Sequence, residues 1–349
     1  MDTVLITGGC GYIGSHTCIS LFNSDFNILI IDSLENSFES TFEKIKKISN
    51  RKGISNNLSI QFIKGDLRDK IWLEDIFSEY VKSNRPIKKV IHFAGLKSIF
   101  FSIKEPLEYW DTNVISTLCL LSVMKKFNCY TLVFSSSATV YKPNGSNLLK
   151  ETDELLPLTP YGRTKLCIEQ ILGDLFNSDK KWKIANLRYF NPVGSHDSGL
   201  LEENSKGKSS NLFPAILKTL RGKQKKLLIF GNDWPTSDGT CHRDYLHVMD
   251  LAVAHRMAME HISQKESIKL VLNIGRGESN SVLDLINSFE RVNKIKVNYE
   301  FAERRKGDTA VSLASTVNML NIFNWKPEKT IDDMCKDGWK WQLNFLKSN

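Results

Sequence analysis

The residues from Val4 to Ser15, VLITGGCGYIGS, constrain what this chain can fold into more than any other stretch. Val4, Leu5 and Ile6 are an apolar, partly β-branched run that reads as a buried strand. Gly9, Gly11 and Gly14 then complete G-x-G-x-x-G, and Tyr12-Ile13 open a helical pattern. Such a strand, tight turn and helix puts three demands on its backbone: an unusual turn conformation, close approach of a pyrophosphate to main-chain N–H groups, and close packing of helix on strand. Glycine meets all three with the least strain. The pattern alone also fits an ordinary loop, so the residues downstream decide its meaning.

Gly14 to Phe22 reads as a helix and Asn27–Ile31 as a second buried strand, which ends at Asp32. Asp32 lies 18 positions beyond Gly14, where a dinucleotide fold places the acid that accepts hydrogen bonds from the adenosine ribose. A carboxylate there repels a 2′-phosphate, and Ser33-Leu34-Glu35 offers no compensating cation, so NAD is favoured over NADP. Further strands are expected at Leu58–Ile63, Val90–Phe93, Thr131–Phe134 and Trp182–Leu187, alternating with helices at Ile71–Val81, Leu107–Phe127 and Pro160–Phe176. That alternation predicts an α/β fold, a doubly wound parallel sheet with right-handed crossovers. Ala94-Gly95 at one strand's carboxyl end leaves room for a ligand against the backbone.

Chemistry enters with Pro160-Tyr161-Gly162-Arg163-Thr164-Lys165, which opens a helix and sets Tyr161 and Lys165 four apart on one face. An ammonium beside a phenol favours the phenolate, so the tyrosine is a candidate base. A solvated surface pair is the ordinary reading of such a spacing, but here it follows a strand that runs into Ser135-Ser136-Ser137. After Arg188-Tyr189-Phe190-Asn191 the texture changes. Glu202–Ser210 reads as an exposed loop, Leu212–Leu220 as a helix, Leu227–Phe230 as a strand, and segments from Leu270 onward as a strand and helix rhythm of lower hydrophobicity. The expected division is a dinucleotide-binding domain over 1–190 and a smaller α/β lobe over 191–349, with some chain crossing back. Arg243, Arg304 and Arg305 sit in turn-rich stretches suited to gripping phosphates. Pairing with Asp244 and Asp308 is the competing reading.

Composition limits the alternatives. An apolar fraction of 41% and a charged fraction of 25% are those of a globular protein. The net charge of +8 is dispersed among acids, which favours a solvated surface over a nucleic-acid partner. Seven cysteines without C-x-x-C spacing read as reduced core residues, neither disulfides nor metal ligands. No apolar run approaches the ~20 residues of a membrane span, and no leader-like segment precedes Val4, so a soluble, cytoplasmic protein is expected.

Taken together, TGGCGYIGSHT, FAGLKS, SSSATVY, PYGRTK, RYFNPVG, FGNDWPTSDGTCHRDYLHVMDLA and NIGRGESNSVLDLI resemble the UDP-glucose 4-epimerases, extended members of the short-chain dehydrogenase/reductase superfamily. The likeness runs in order from Val4 to about Trp341. It implies an N-terminal Rossmann domain holding NAD, a C-terminal domain holding a UDP-sugar, and a homodimer packed through helices of the first domain. It further implies that Tyr161 is the base, Lys165 its electrostatic partner and a nicotinamide-ribose ligand, and Ser137 the group on the sugar's 4′-oxygen. Gly8, Gly11, Tyr12, Ile13, Gly14, Asp32, Asp66, Leu67, Phe93, Ala94, Lys97, Asn113 and Phe190 match cofactor positions. Lys97, Asn191, Asn211, Leu212, Phe230, Arg243, Arg305, Asp308 and Ser312 match positions that line the sugar or hold uracil, ribose and diphosphate.

The implied reaction removes the 4′-hydroxyl proton and a hydride from C4′, lets the 4-keto sugar turn over, and returns the hydride to its other face. Two departures from the resemblance stand out. Ile99-Phe100-Phe101 replaces small or polar residues after FAGLK, with altered loop closure and simple surface packing as the two readings. Ser312 stands where many bacterial members carry a bulky tyrosine, which implies acceptance of UDP-GlcNAc and UDP-GalNAc as well as UDP-glucose and UDP-galactose, unless a neighbour compensates. Of the rivals, a nucleotide-sugar 4,6-dehydratase would need an Asp-Glu pair where this chain has Ala138-Thr139, and a catalytically silent NAD-binding module would be expected to lack Ser137, Tyr161 or Lys165.

Overall fold

The structure, a computed structural model, describes all residues except 23, 25, 52–58, 144–147, 202, 204–205, 207–210, 306–307 and 349. The expected strand start at Leu58 and most of the expected loop 202–210 therefore lie outside the described residues. Valine, leucine and isoleucine concentrate in β1 (Thr3–Thr7), β2 (Asn27–Asp32) and β5 (Thr131–Ser135), which are buried along their whole length. Continuous burial of this kind belongs to strands covered on both faces. With β3 (Ile60–Lys64), β4 (Ile87–His92), β7 (Lys183–Tyr189) and β12 (Ile268–Ile274) they form one seven-stranded sheet in the order β12-β7-β5-β4-β1-β2-β3. Every pairing in it is parallel. The protein is thus α/β and Rossmann-like, and the order reverses between β1 and β4, where open sheets of this type take ligands.

Successive residues of a strand face opposite sides, and the core divides accordingly. Val4, Ile6, Ile28 and Ile30 pack with α1 (Tyr12–Ser20), α2 (Ser40–Arg51) and α9 (Val248–Ser263). Leu5, Leu29, Ile31 and Phe134 pack with α3 (Lys70–Lys82), α6 (Ser116–Lys126) and α7 (Pro160–Ser178). The segment expected as one helix over Leu107–Phe127 is instead broken by a wider π turn. After α4 (Ile99–Lys104), α5 (Pro106–Tyr109) leads into a π-helical Trp110–Ile115 and then α6.

A second core lies beyond β7. Phe213 and Ile216 of α8 (Leu212–Leu220), Leu227 and Ile229 of β9 (Leu227–Phe230), Phe289 of α10 (Val282–Asn293) and Trp339 of α12 (Ile331–Ser348) form it. Short strands frame it: β6 (Leu148–Leu149), β10 (His242–Arg243), β13 (Asn280–Ser281) and β15 (Val311–Ala314) in one sheet, β8 (Asn191–Val193) with β11 (Tyr245–His247), and β9 with β14 (Tyr299–Ala302). Two stretches beyond residue 191, α9 and β12, pack in the large sheet, and α11 (Val317–Phe323) also lies against it. Asp244 anchors the crossing: its buried carboxylate accepts hydrogen bonds from the main-chain N–H groups of Arg276, Gly277 and Ala314. All seven cysteines are unpaired, and five are buried. Among the described residues no helix is long and apolar enough to cross a membrane, and no cluster of side chains could hold a metal.

Candidate active site

The carboxyl ends of β1, β2, β4 and β5 open onto a cleft. Gly8, Gly11, Tyr12, Ile13, Gly14, Asp32, Asp66, Leu67, Phe93, Ala94, Lys97, Tyr161 and Lys165 all line it, from the motif residues the sequence singled out. A shallower depression beside α10, lined by Asn287, Glu290, Arg291 and 294–296, contains none of them. Glycine is required at two points of the turn. Gly8 has φ +67°, and a Cβ there would lie 2.7 Å from the Ala94 nitrogen. At Gly14 a Cβ would meet the Gly8 carbonyl oxygen at 2.4 Å, so a larger residue would force α1 off β1. Gly11 precedes α1 without a side-chain cap, and the first turn carries no acid. The helix therefore offers its uncapped N–H groups and positive dipole end to an anion in the cleft.

Asp32 is held rigidly at the end of β2. Its Oδ2 accepts from the Cys10 N–H at 2.9 Å, and its Oδ1 from the Leu34 N–H at 2.9 Å and the Ser37 hydroxyl at 2.7 Å. Asp66, on the far rim, is paired with Arg68, whose guanidinium holds its carboxyl below the usual range. Pyrophosphate-sized space over a helix N-terminus, with a fixed carboxylate at the second strand, fits a dinucleotide. Asn113 does not line this cleft. It sits in the π turn, almost fully buried, and clamps the neighbouring loop: its Oδ1 accepts from the Leu96 N–H and its Nδ2 donates to the Leu96 carbonyl and the Thr164 hydroxyl. Phe190 is also absent from the lining; it packs with Val140, Tyr141, Leu149 and Ala314.

At the other end of the cleft, Thr159 caps α7, accepting from the Gly162 N–H, and Pro160 occupies its first turn. This fixes Tyr161 and Lys165, both 5% exposed. Lys165 Nζ donates to the Ser135 carbonyl at 2.8 Å and lies 5.9 Å from the Tyr161 ring centre. Burial pushes the lysine down to about 8, partly offset by the charge of Glu169. The Tyr161 phenol is raised well above its ordinary value, again by burial, with a hydrogen bond from Ser137 acting in the opposite direction. Desolvation is thus the dominant influence on this phenol, ahead of any neighbouring charge.

Near the second core a separate polar group assembles. Arg305 pairs with Asp308 at 3.0 Å and lies over the Phe230 ring at 5.2 Å, and Arg243 stands 3.9 Å from the same carboxylate. Ser312 is half-buried opposite Arg243 in the β10–β15 pairing. Asn191 donates its N–H to the carbonyl of Asp244, the residue after β10, and half-buried Leu212 opens α8 just after Asn211. The competing reading of the cations is right in part: Asp308 does pair with Arg243 and Arg305, whereas Asp244 serves main-chain amides, and Arg304 pairs with Asp233 and stacks on Trp234. Glu203 joins the two groups, accepting from Lys97 at 3.1 Å and from Asn211 at 3.3 Å. Phe100 is half exposed on α4 and meets Phe101 edge-on, while Ser98 caps that helix.

Ser135 entered the sequence reading only as the end of its strand, and two residues of consequence escaped it: Glu203 and Glu169. The last continues the i, i+4 spacing of Tyr161 and Lys165 by one more step, which is the signal that could have found it.

Comparison with known proteins agrees with this geometry. A UDP-glucose 4-epimerase of Cyamopsis tetragonoloba is 43% identical over 97% of this chain and 95% of its own length. A crystal structure of UDP-glucose 4-epimerase from Stenotrophomonas maltophila, with bound NAD and formylated UDP-arabinopyranose, matches with a TM-score of 0.91 and 40% identity over the whole of both chains. One from Bifidobacterium longum, in complex with NAD+ and UDP, matches with a TM-score of 0.90 and 39% identity over the same extent. The model of the NAD dependent epimerase/dehydratase family matches residues 4–275. With a cleft suited to a dinucleotide at its centre, the chain belongs to that family.

Proposed function

We propose that this protein is a UDP-glucose 4-epimerase, an isomerase that interconverts UDP-glucose and UDP-galactose on bound NAD. The observation that carries the reading is the placement of Tyr161 and Lys165 at one end of a cleft whose other parts fit a dinucleotide. The cluster of Phe230, Arg243, Arg305 and Asp308 supports a uridine diphosphate anchor: a ring for the base, two guanidiniums for phosphate and a carboxylate for ribose hydroxyls. The residues of the Gly8–Gly14 turn would hold the pyrophosphate, Asp32 the adenosine ribose, and Lys165 the nicotinamide ribose. When bound, NAD supplies the acceptor that takes a hydride from C4′ and returns it to the opposite face of the 4-keto sugar. Tyr161 Oη takes the 4′-hydroxyl proton and gives it back, and Ser137 holds the same oxygen through its hydroxyl. Firm anchoring of the UDP part leaves the sugar free to turn.

Ser312 beside Arg243 supports acceptance of the N-acetylated pair, because a small residue leaves room for an acetamido group. Ala138-Thr139 in the turn after Ser137 supplies no carboxylate for a dehydratase, so that reading is not favoured. Unpaired cysteines suit the reducing cytoplasm. Exposed Ile103, Leu107 and Leu118 on consecutive helices offer an apolar face for a homodimer. The test is incubation with UDP-galactose and, separately, UDP-GalNAc, followed by chromatographic resolution of the products. Appearance of UDP-glucose supports the assignment; no conversion of either substrate by NAD-replete protein overturns it.

A further inference from the structure

Behind the reacting residues lies a fully enclosed ionic network. Tyr161, Lys165 and Glu169 follow one another at four-residue intervals on α7, and all three are buried. Glu169 is gripped by Arg188 of β7: Nε donates to Oε1 at 3.0 Å and Nη2 to Oε2 at 2.6 Å, with both side chains about 5% exposed. The guanidinium is itself fixed by donating to the Tyr141 hydroxyl and the Glu151 carbonyl. Glu169 Oε1 also accepts from the Ser136 hydroxyl. Ser136 stands between Ser135, whose carbonyl receives Lys165 Nζ, and Ser137, whose hydroxyl reaches Tyr161. One carboxylate thus touches the backbone segment that aims two of the three reacting groups.

We propose that Glu169, clamped by Arg188, is a positioning residue for the reaction: its buried carboxylate stands one helical turn beyond Lys165 on the same face of α7 and supplies negative charge on that side of the ammonium, and its Oε1 sets the Ser135–Ser137 chain end. The proposal rests on the reading of Tyr161 and Lys165 as the reacting pair. The other titratable groups of this cluster are Tyr161 of α7 and His92 of β4 beside Lys165, Tyr109 of α5 and Tyr189 of β7 beside Tyr161, and Arg188 of β7 beside Glu169. His92 is buried, held neutral by burial and by the lysine's own charge. Burial raises all three tyrosines, so none carries negative charge at neutral pH. Glu169 therefore supplies the negative charge that offsets the burial of Lys165. A buried ion pair usually adds little to stability over an apolar pair, so the pair's place behind the site is better explained by what it does to Lys165 and Ser136.

The test compares Glu169→Gln with the parent and with Glu169→Asp. Glutamine keeps an acceptor for Ser136 but removes the charge and leaves Arg188 unpaired. The alkaline limb of kcat/KM against pH for the NAD-loaded enzyme, which reports loss of the Lys165 ammonium, is expected to move down by roughly one pH unit. Glu169→Asp restores most of that shift. Competitive acetylation of Lys165 in the full-length, nucleotide-free chain, read by peptide mass spectrometry across pH, gives the same midpoint without turnover and moves with it. Should Glu169→Gln fold poorly, Glu169→Gln combined with Arg188→Met removes both charges and returns the limb toward the parent's. A uniform loss of kcat with unmoved limb and labelling midpoint overturns the proposal in favour of a purely structural pair. Tyr161→Phe and Lys165→Met controls separate the two failures: if they stay active, the reading of the reacting pair has failed instead.

Discussion

Lys97, on the loop after β4, and Glu203, in the segment leading to α8, form a 3.1 Å ion pair beside the Tyr12 ring. The carboxylate is almost fully enclosed and also receives Asn211. Tyr12 completes the junction by donating to the Gly194 carbonyl at 2.7 Å, and His16, one turn later, accepts from the His196 N–H. The cofactor helix is thereby tied to the lobe that we assign to the sugar nucleotide.

Replacing Lys97 by Met removes the one cation of this junction that lines the cleft. A charge-assisted contact to the cofactor is worth about 2 kcal/mol, so NAD retained after extensive dialysis is expected to fall, with a dissociation constant raised by about 30-fold. Glu203→Gln, which leaves the lysine charged, should change retention far less.

Tyr161→Phe keeps the ring and its burial and deletes the acid–base group. The kcat for UDP-galactose is expected to fall by about 10³-fold while NAD content stays at the parent's level. Full activity in this variant would remove Tyr161 from the reaction.

Asp244 contributes to stability in a pH-dependent way. Burial raises its carboxyl from 3.8 to about 6 despite three main-chain donors. Between those values the folded state holds a proton that the unfolded state has lost. This contribution is therefore complete below about pH 4 and fades as the pH rises through 6. Asp244→Asn should cost about 2 kcal/mol at neutral pH and flatten the pH dependence of the urea midpoint between 4 and 6.

Ser312→Tyr fills the space opposite Arg243 in β10. Initial rates should fall for UDP-GalNAc by at least tenfold more than for UDP-galactose, since added bulk excludes the acetamido group. Equal effects on both substrates would remove the link between Ser312 and sugar choice.

Leu107 is 81% exposed at the start of α5, the most exposed of the large apolar side chains on that face. For the proposed homodimer, Leu107→Glu should shift sedimentation from dimer toward monomer with little change in thermal stability of the protomer; unchanged sedimentation would remove this face from the proposed contact.

Some of this was legible in the residues themselves. Local features that act through the backbone read directly: apolar β-branched runs make buried strands, glycines at 8, 11 and 14 leave room that a Cβ would fill, and Asp32 follows its strand wherever the sheet is parallel. The four-residue spacing of Tyr161 and Lys165 needed only helix geometry. What tertiary structure decided is whatever depends on distant segments meeting. Asn113 became a loop clamp because a π turn rotated it toward Leu96, and helix periodicity alone could not foresee that turn. β12, more than 260 residues beyond β1, returned to the large sheet through a parallel pairing with β7. Glu169 gained significance only when Arg188 and Ser136 closed around it, and Tyr161 turned out to be governed by burial before charge. The sequence by itself determined the turn, the strands next to it and the spacing of Tyr161 and Lys165 on one helix face; the assembled molecule decided their desolvation and their partners, because burial and Coulomb interactions depend on distances in space.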